Sequence, residues 1–310
     1  MVTPSELLRN AICKFRHLLR GNGGTEELEI NRMSLPRKLL LEAAMIVVAA
    51  VYVIPFYWMV LKATRISILA NFPPDLNPFS RTSFNNFINN FHQVWSFGNF
   101  PTWYFNSILV SSVVVTTSVM VGAMAGYAFA RLKFRGRNIL FYVVLGTLMI
   151  PFPVILIASY VFMVDIGWIN SYQGLILPQI ASAVNVFLMR QYFLTIPSEI
   201  EDAAKIDGLR PWQIFYRISA PLAKPAFAAS AIYTFIGSWN NFLWPLLEAQ
   251  TVNYWTLPLA LNFFKGANGT QIYWNQMMMA DILALIPTFI IYMIFERYFI
   301  QGISLTGTKG

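Results

Sequence analysis

Side chains able to carry covalent or metal chemistry are scarce in this sequence. There is one cysteine, Cys13, and two histidines, His17 and His92. That set builds no disulfide and, unaided, no Cys/His zinc site, which takes four ligands or three plus water. No G-x-x-x-x-G-K-S/T loop is present to cradle a nucleotide, and neither H-E-x-x-H nor G-x-S-x-G occurs. Glu42 and Asp281 fall at the ends of apolar stretches, where an interfacial anchor or a helix N-terminal charge accounts for them. What remains is hydrogen bonding. Gln179, Ser182, Asn185, Ser238, Asn240 and Asn241 interrupt apolar runs and need another helix or a wet cavity as partner. Beside Trp239, amides and hydroxyls suit a sugar, whose hydroxyls hydrogen-bond while its C–H faces stack on the ring. Bonding between helices would satisfy each of them equally well. Gln179, Asn185, Ser238, Trp239, Asn240 and Asn241 are therefore the candidate pathway residues.

The elements that must position them are set by composition. Of 310 residues, 56% are hydrophobic and 12% charged, against roughly 25% charged in a soluble domain. This excludes a soluble enzyme, and the apolar and aromatic content excludes a disordered or collagen-like chain. A helix crossing a hydrocarbon core of about 30 Å needs about 20 mainly apolar residues. Six stretches qualify: Ala43 to Leu61, a run from about Phe105 to Ala130, and others within Asn138 to Val164, Ile166 to Met189, Pro225 to Leu247 and Met277 to Ile300. The expected fold is all-α, a polytopic membrane protein with six transmembrane helices. Residues 1–38 form a cytoplasmic N-terminal segment and residues 39–310 the six-span domain, with outer loops at 62–104 and 248–276. Of the 22 Lys and Arg, 18 lie on the alternate segments that include both ends of the chain and 4 on the others. The positive-inside rule then places both termini in the cytoplasm. The net charge of +8 follows from that asymmetry and calls for no nucleic acid. Residues 4–20 also pattern as a basic amphipathic helix suited to anionic headgroups of membrane lipid, or as a frayed tail.

The segment 196–221 departs from its apolar surroundings. Ser198 with Glu201 three residues on reads as a capping box that opens a helix through Ala203, Ala204 and Ile206. Asp207 and Gly208 close it, because Gly accepts the left-handed conformation of a helix C-cap. Pro211 begins a second short helix that should stop before Pro221. Small Ala203 and Ala204 allow close approach of another backbone, and Ile200, Ile206 and Leu209 are apolar. This helix-turn-helix suits docking into a cleft of a partner, or packing on its own spans.

Glu201, Asp202, Ala203, Ala204, Lys205, Ile206, Asp207 and Gly208, followed by Pro221, resemble the EAA loop of permease subunits of binding-protein-dependent ABC importers. Further motifs agree in order: Tyr127 to Arg137, Phe187 to Phe193, the run Trp239, Asn240, Phe242 to Leu246, then Thr256 to Leu259, and Arg297 to Phe299 with Gly302. The resemblance covers about Leu39 to Gly310 and is to the carbohydrate-uptake branch that includes the smaller membrane subunit of the maltose importer. Asp202 stands at the glutamate position of the motif and shortens its reach.

The resemblance implies a bacterial inner-membrane permease that is not itself an enzyme. It implies a second related permease, as a heterodimer, two ATPase subunits that hold ATP and Mg, and an extracytoplasmic solute-binding protein. No cofactor is expected on this chain. Glu201, Asp202, Ala203, Ala204, Ile206, Asp207, Gly208 and Leu209 would couple to the ATPases. Lys265, Gly266, Asn268, Gly269 and Thr270 would form the loop that reaches the binding protein. In the second span Ser118, Gly122, Gly126 and Ala130 recur every four residues, a small-residue face for helix packing. Against this reading stand a self-contained carrier or channel for a small polar solute and, further off, a membrane enzyme.

Overall fold

The structure, a computed structural model, describes residues 35–65, 81–264 and 273–306. Among the described residues every regular element is helical. The N-terminal segment 4–20 and the loop residues Lys265, Gly266, Asn268, Gly269 and Thr270 lie outside them.

Among the described residues three helices are long and apolar enough to cross a membrane, or five if each of two bent pairs counts as one span. The first, α1, is Leu35–Ala63. After α2, Arg81–Trp95, comes α3, Phe100–Arg131, with Pro101 in its first turn, where a missing N–H costs nothing. The third apolar stretch is broken: α4, Arg137–Gly146, and α5, Phe152–Asp165, meet at 100°. Pro151, extended at φ −61 and ψ 138, both ends the first piece and starts the second. The fourth stretch bends by 42° between α6, Tyr172–Ile180, and α7, Ala183–Thr195.

The fifth expected span is shorter than its hydropathy. Helix α11, Lys224–Trp239, has 16 residues, about 24 Å of rise against a core of about 30 Å. The stretch resumes only as α12, Leu243–Glu248. Between the fourth and fifth stretches lie α8, Ser198–Ile206, α9, Pro211–Ile214, a π-helical turn Phe215–Ser219 and α10, Ala220–Leu222. Helix α13, Leu257–Phe264, precedes α14, Trp274–Thr306.

The chain divides into two compact units, Met1–Tyr57 with Phe299–Gly310, and Trp58–Tyr298. In the first, the helix from Leu35 exposes Leu40, Ile46, Val51 and Ile54, an apolar surface on all sides of the kind that lipid solvates. In the second, α3 is the hub against which α6, α7 and α11 pack. Its face of Ser118, Gly122, Gly126 and Ala130 is buried, and it lies directly on α7. A Cβ added at Gly122 would stand 2.6 Å from Asn185 Cβ, and one at Gly126 2.7 Å from Met189 Cβ and 2.8 Å from the Arg190 nitrogen. Only glycine permits that approach.

Candidate coupling helix and solute cavity

Helix α8 begins at Ser198 with Pro197 before it, and no side chain caps its start. This corrects the expected capping box. The Glu201 side chain turns inward instead, since a buried carboxylate finds stronger partners in a cation and a hydroxyl than in one exposed N–H. Ser219 donates to Glu201 Oε1 at 2.8 Å, and Arg131 Nε stands 3.4 Å from the same oxygen. Arg131, the last residue of α3, also donates through Nη2 to the Phe193 carbonyl at 2.6 Å and to the Ile196 carbonyl. One guanidinium therefore ties together the C-terminal end of α3, the end of α7 and the buried face of α8.

The opposite face of α8 is open. Asp202, Ala203 and Lys205 are exposed, and Ile206 is 88% exposed although apolar. Ala204 is buried with Glu201. Asp202 pairs with Lys205 Nζ at 2.7 Å, and this hydrogen bond, with the attraction of the ammonium, holds its carboxyl below the usual carboxylate range. Asp202, at the motif's glutamate position, thus faces outward, while Glu201 makes the inward contact. Gly208 takes φ 82, and the turn closes through Gly208 N to Lys205 O and Leu209 N to Ala204 O, each 3.0 Å. Asp207 precedes it as the residue after the last turn.

At Arg210 the second helix starts by a backbone N–H given to Gln213 Oε1 at 2.8 Å. It does not stop before Pro221 as expected. The π-helical turn at Phe215–Ser219 carries it to Leu222, placing Pro221 in the first positions of a new α-turn where its missing N–H is tolerated.

The candidate pathway residues separate into two groups. Asn185 is fully buried, its Nδ2 donating to Ser118 Oγ and Thr234 Oγ1, each at 2.9 Å. Trp239 is buried as well, its Nε1 bonded to the Ala284 carbonyl at 3.1 Å and its ring stacked on Phe235. These two join helices: Asn185 ties the second span and α7 to α11, and Trp239 ties α11 to α14. Gln179 and Ser238 do line one, a hollow of about 340 Å³ beside the break in the fourth stretch. Asn241 Nδ2 donates to Gln179 Oε1 at 3.2 Å, and exposed Asn240 returns its amide to the Ile236 carbonyl at 2.9 Å. A second hollow, of about 400 Å³, is lined by Phe242, Asn262, Met277 and Asp281. Because α14 starts at Trp274, Asp281 sits about two turns inside the helix and is no N-terminal charge.

Sequence reasoning passed over Arg131 and Tyr233. A cation on the last residue of a small-faced span was the available signal for the first; Tyr233, one turn before Gly237, carried none.

Broken apolar helices around a small-faced hub, with a two-faced helix-turn-helix between two of them, are the architecture of a polytopic membrane protein. Residues 118–305 match the family of binding-protein-dependent transport system inner membrane components, and the chain belongs to that family. It is 38% identical over 231 residues to the arabinooligosaccharides transport system permease protein AraQ of Halalkalibacterium halodurans, covering 74% of this chain and 81% of that protein. It is 30% identical over 285 residues to the trehalose/maltose transport system permease protein MalG of Thermococcus litoralis, covering 90% of this chain and 99% of that protein. In fold it is similar to a chain from the crystal structure of a bacterial ABC transporter involved in the import of the acidic polysaccharide alginate. The TM-score is 0.67 at 22% identity, over 86% of this chain and 99% of that one. Family membership decides for a permease over a self-contained carrier or channel.

Proposed function

We propose that the chain imports a sugar or related polyol as one of two related permeases, with both termini in the cytoplasm. Solute is delivered by an extracytoplasmic binding protein, and the work comes from partner ATPases that hold ATP and Mg. The observation that carries this reading is the two-faced helix α8. Its outer face, with Asp202, Ala203 and Ile206, is exposed for a partner, and its inner face is fixed by Glu201 to Arg131. A rigid helix held this way turns a push from an ATPase into rotation of packed spans, which pass between discrete arrangements. Relatives named as arabinooligosaccharide and trehalose/maltose permeases support a carbohydrate solute. The polar hollow with Gln179 and Ser238 supports a route through this chain.

Purification through a tag on this chain tests the assembly. A second six-span subunit and an ATPase should copurify, and the reconstituted complex should transport only with ATP and binding protein. Transport by this chain alone would contradict the proposal.

A further inference from the structure

At Ala181 the fourth apolar stretch leaves the helical conformation, with φ −83 and ψ 103. Irregular backbone at membrane depth occurs where it lines a cavity, and the 340 Å³ hollow lies there, between this break, the second span and one face of α11. The volume is at the lower end of the roughly 300–1,000 Å³ of small-molecule sites, enough for one sugar unit and not for an extended oligosaccharide. Tyr233 is 53% exposed, and its ring is available to a C–H face. Gln179 bonds Leu175 O and Asn241 yet keeps a second N–H and a second lone pair. Ser182 and Thr234 add hydroxyls to the wall, and the Ser238 hydroxyl is buried without a hydrogen-bond partner. Gly237 leaves the space open, since a Cβ there would meet nothing within 4 Å. Among the described residues the wall contains no Lys, Arg, His, Asp or Glu.

We infer that this hollow is a subsite, carried by this chain itself, for a single uncharged glycosyl or polyol unit. The inference rests on the proposed function and goes past it, to which subunit holds the solute and which solutes fit. Hydroxyls that both donate and accept match a wall of amide and hydroxyl groups. A phosphate or carboxylate entering it would lose hydration with no cation in return, whereas anion sites are built from Arg or Lys. The start of α7 adjoins the hollow, but Ser182 Oγ already accepts from its Asn185 N–H at 3.3 Å. No side-chain cation reinforces that helix end.

Gly237→Cys, in a Cys13→Ser background, puts a thiol in this open space within the assembled transporter in membrane vesicles. Its labelling by a small methanethiosulfonate is followed with arabinose oligosaccharides, lactose, maltose or sorbitol, and with glycerol 3-phosphate or galacturonate. At ten times its half-saturating concentration, at least one uncharged solute should slow labelling about tenfold, and the anions should leave the rate unchanged. Tyr233→Ala should remove the protection. Equal protection by an anion, or protection by none of the panel, overturns the inference. Uptake of the same solutes by the same vesicles tells the two readings apart. Uptake without protection removes only the subsite, and loss of binding-protein-dependent uptake removes the permease reading as well.

Discussion

Glu201 and Arg131, 70 positions apart in the chain, meet at 3.4 Å where the second span ends. Both side chains are largely withdrawn from water, at 4% and 13% exposure. Arg131 also holds the carbonyls of Phe193 and Ile196, so the pair connects a surface helix to two spans at once. A surface ion pair contributes little, whereas removing one partner of a buried pair costs about 3 to 5 kcal/mol. The family's motif marks Asp202, but the side chain that joins this helix to the spans is the one before it.

Docking of the partner should depend on the exposed face of α8. Ala203→Trp adds a ring where a partner must approach closely, and overpacking of about 1 to 3 kcal/mol weakens docking roughly 5- to 150-fold. Gly208→Val should act through the backbone, because φ 82 is strained for a β-branched residue. Both variants should insert and pair with the second permease, and the amount of ATPase that copurifies is the readout. Undiminished ATPase in both would show that α8 is not the docking element.

Close packing of the second and fourth spans should fail at one glycine and tolerate change at another. A Cβ at Gly126 overlaps the Arg190 nitrogen at 2.8 Å, so Gly126→Leu must separate α3 from α7 and should lower the yield of assembled complex severely. Gly146 has nothing within 4 Å of the same position, and Gly146→Ala should behave as the unmodified protein. Size-exclusion profiles of the detergent-solubilised complex distinguish the two.

Much of this was legible in the sequence, and what was not has physical causes. The turn at Gly208 and the start at Pro211 were readable because each residue has one strong backbone preference. The four-residue spacing of Ser118, Gly122, Gly126 and Ala130 announced a packing face, though not that α7 would lie on it. Hydropathy counts carbon and is blind to direction, so it read Asn138 to Val164 as one span where Pro151 turns the chain by 100°. The bonds of Asn185 to Ser118 and Thr234 are invisible in the sequence because those partners lie 67 and 49 positions away. Glu201, three residues after Ser198, fits a cap in the sequence for the same reason. A near partner is visible in a sequence and Arg131 is not.

Stability around Glu248 should fall as pH rises. Glu248 is the last residue of α12, is fully buried, and neither carboxylate oxygen has a hydrogen-bond partner. Burial pushes its pKa up to about 7. The folded protein therefore binds a proton that the unfolded chain has released, so this contribution is present below the unfolded pKa of about 4.5 and is lost as pH rises through about 7. Thermal unfolding of the purified complex between pH 5 and 8 should show a falling midpoint, and Glu248→Gln should flatten the curve. A midpoint insensitive to the substitution would mean that water reaches this carboxylate.

Orientation is accessible to thiol labelling. In a Cys13→Ser background, Ser171→Cys should react with an impermeant reagent added to intact cells, and Lys205→Cys should react only after the membrane is opened. Labelling of Lys205→Cys from outside would reverse the topology.

The most direct test of the account is the ratio of solute transported to ATP hydrolysed by the reconstituted complex with binding protein, compared for the unmodified chain, Glu201→Gln and Arg131→Ala. The exposed face of α8 is untouched in both variants, so the ATPase should still copurify and hydrolyse ATP. Transport per ATP should fall at least about tenfold, the effect of 1.4 kcal/mol or more lost from the clasp. An unchanged ratio in both variants would contradict the claim that Glu201 and Arg131 carry the ATPase stroke into the spans.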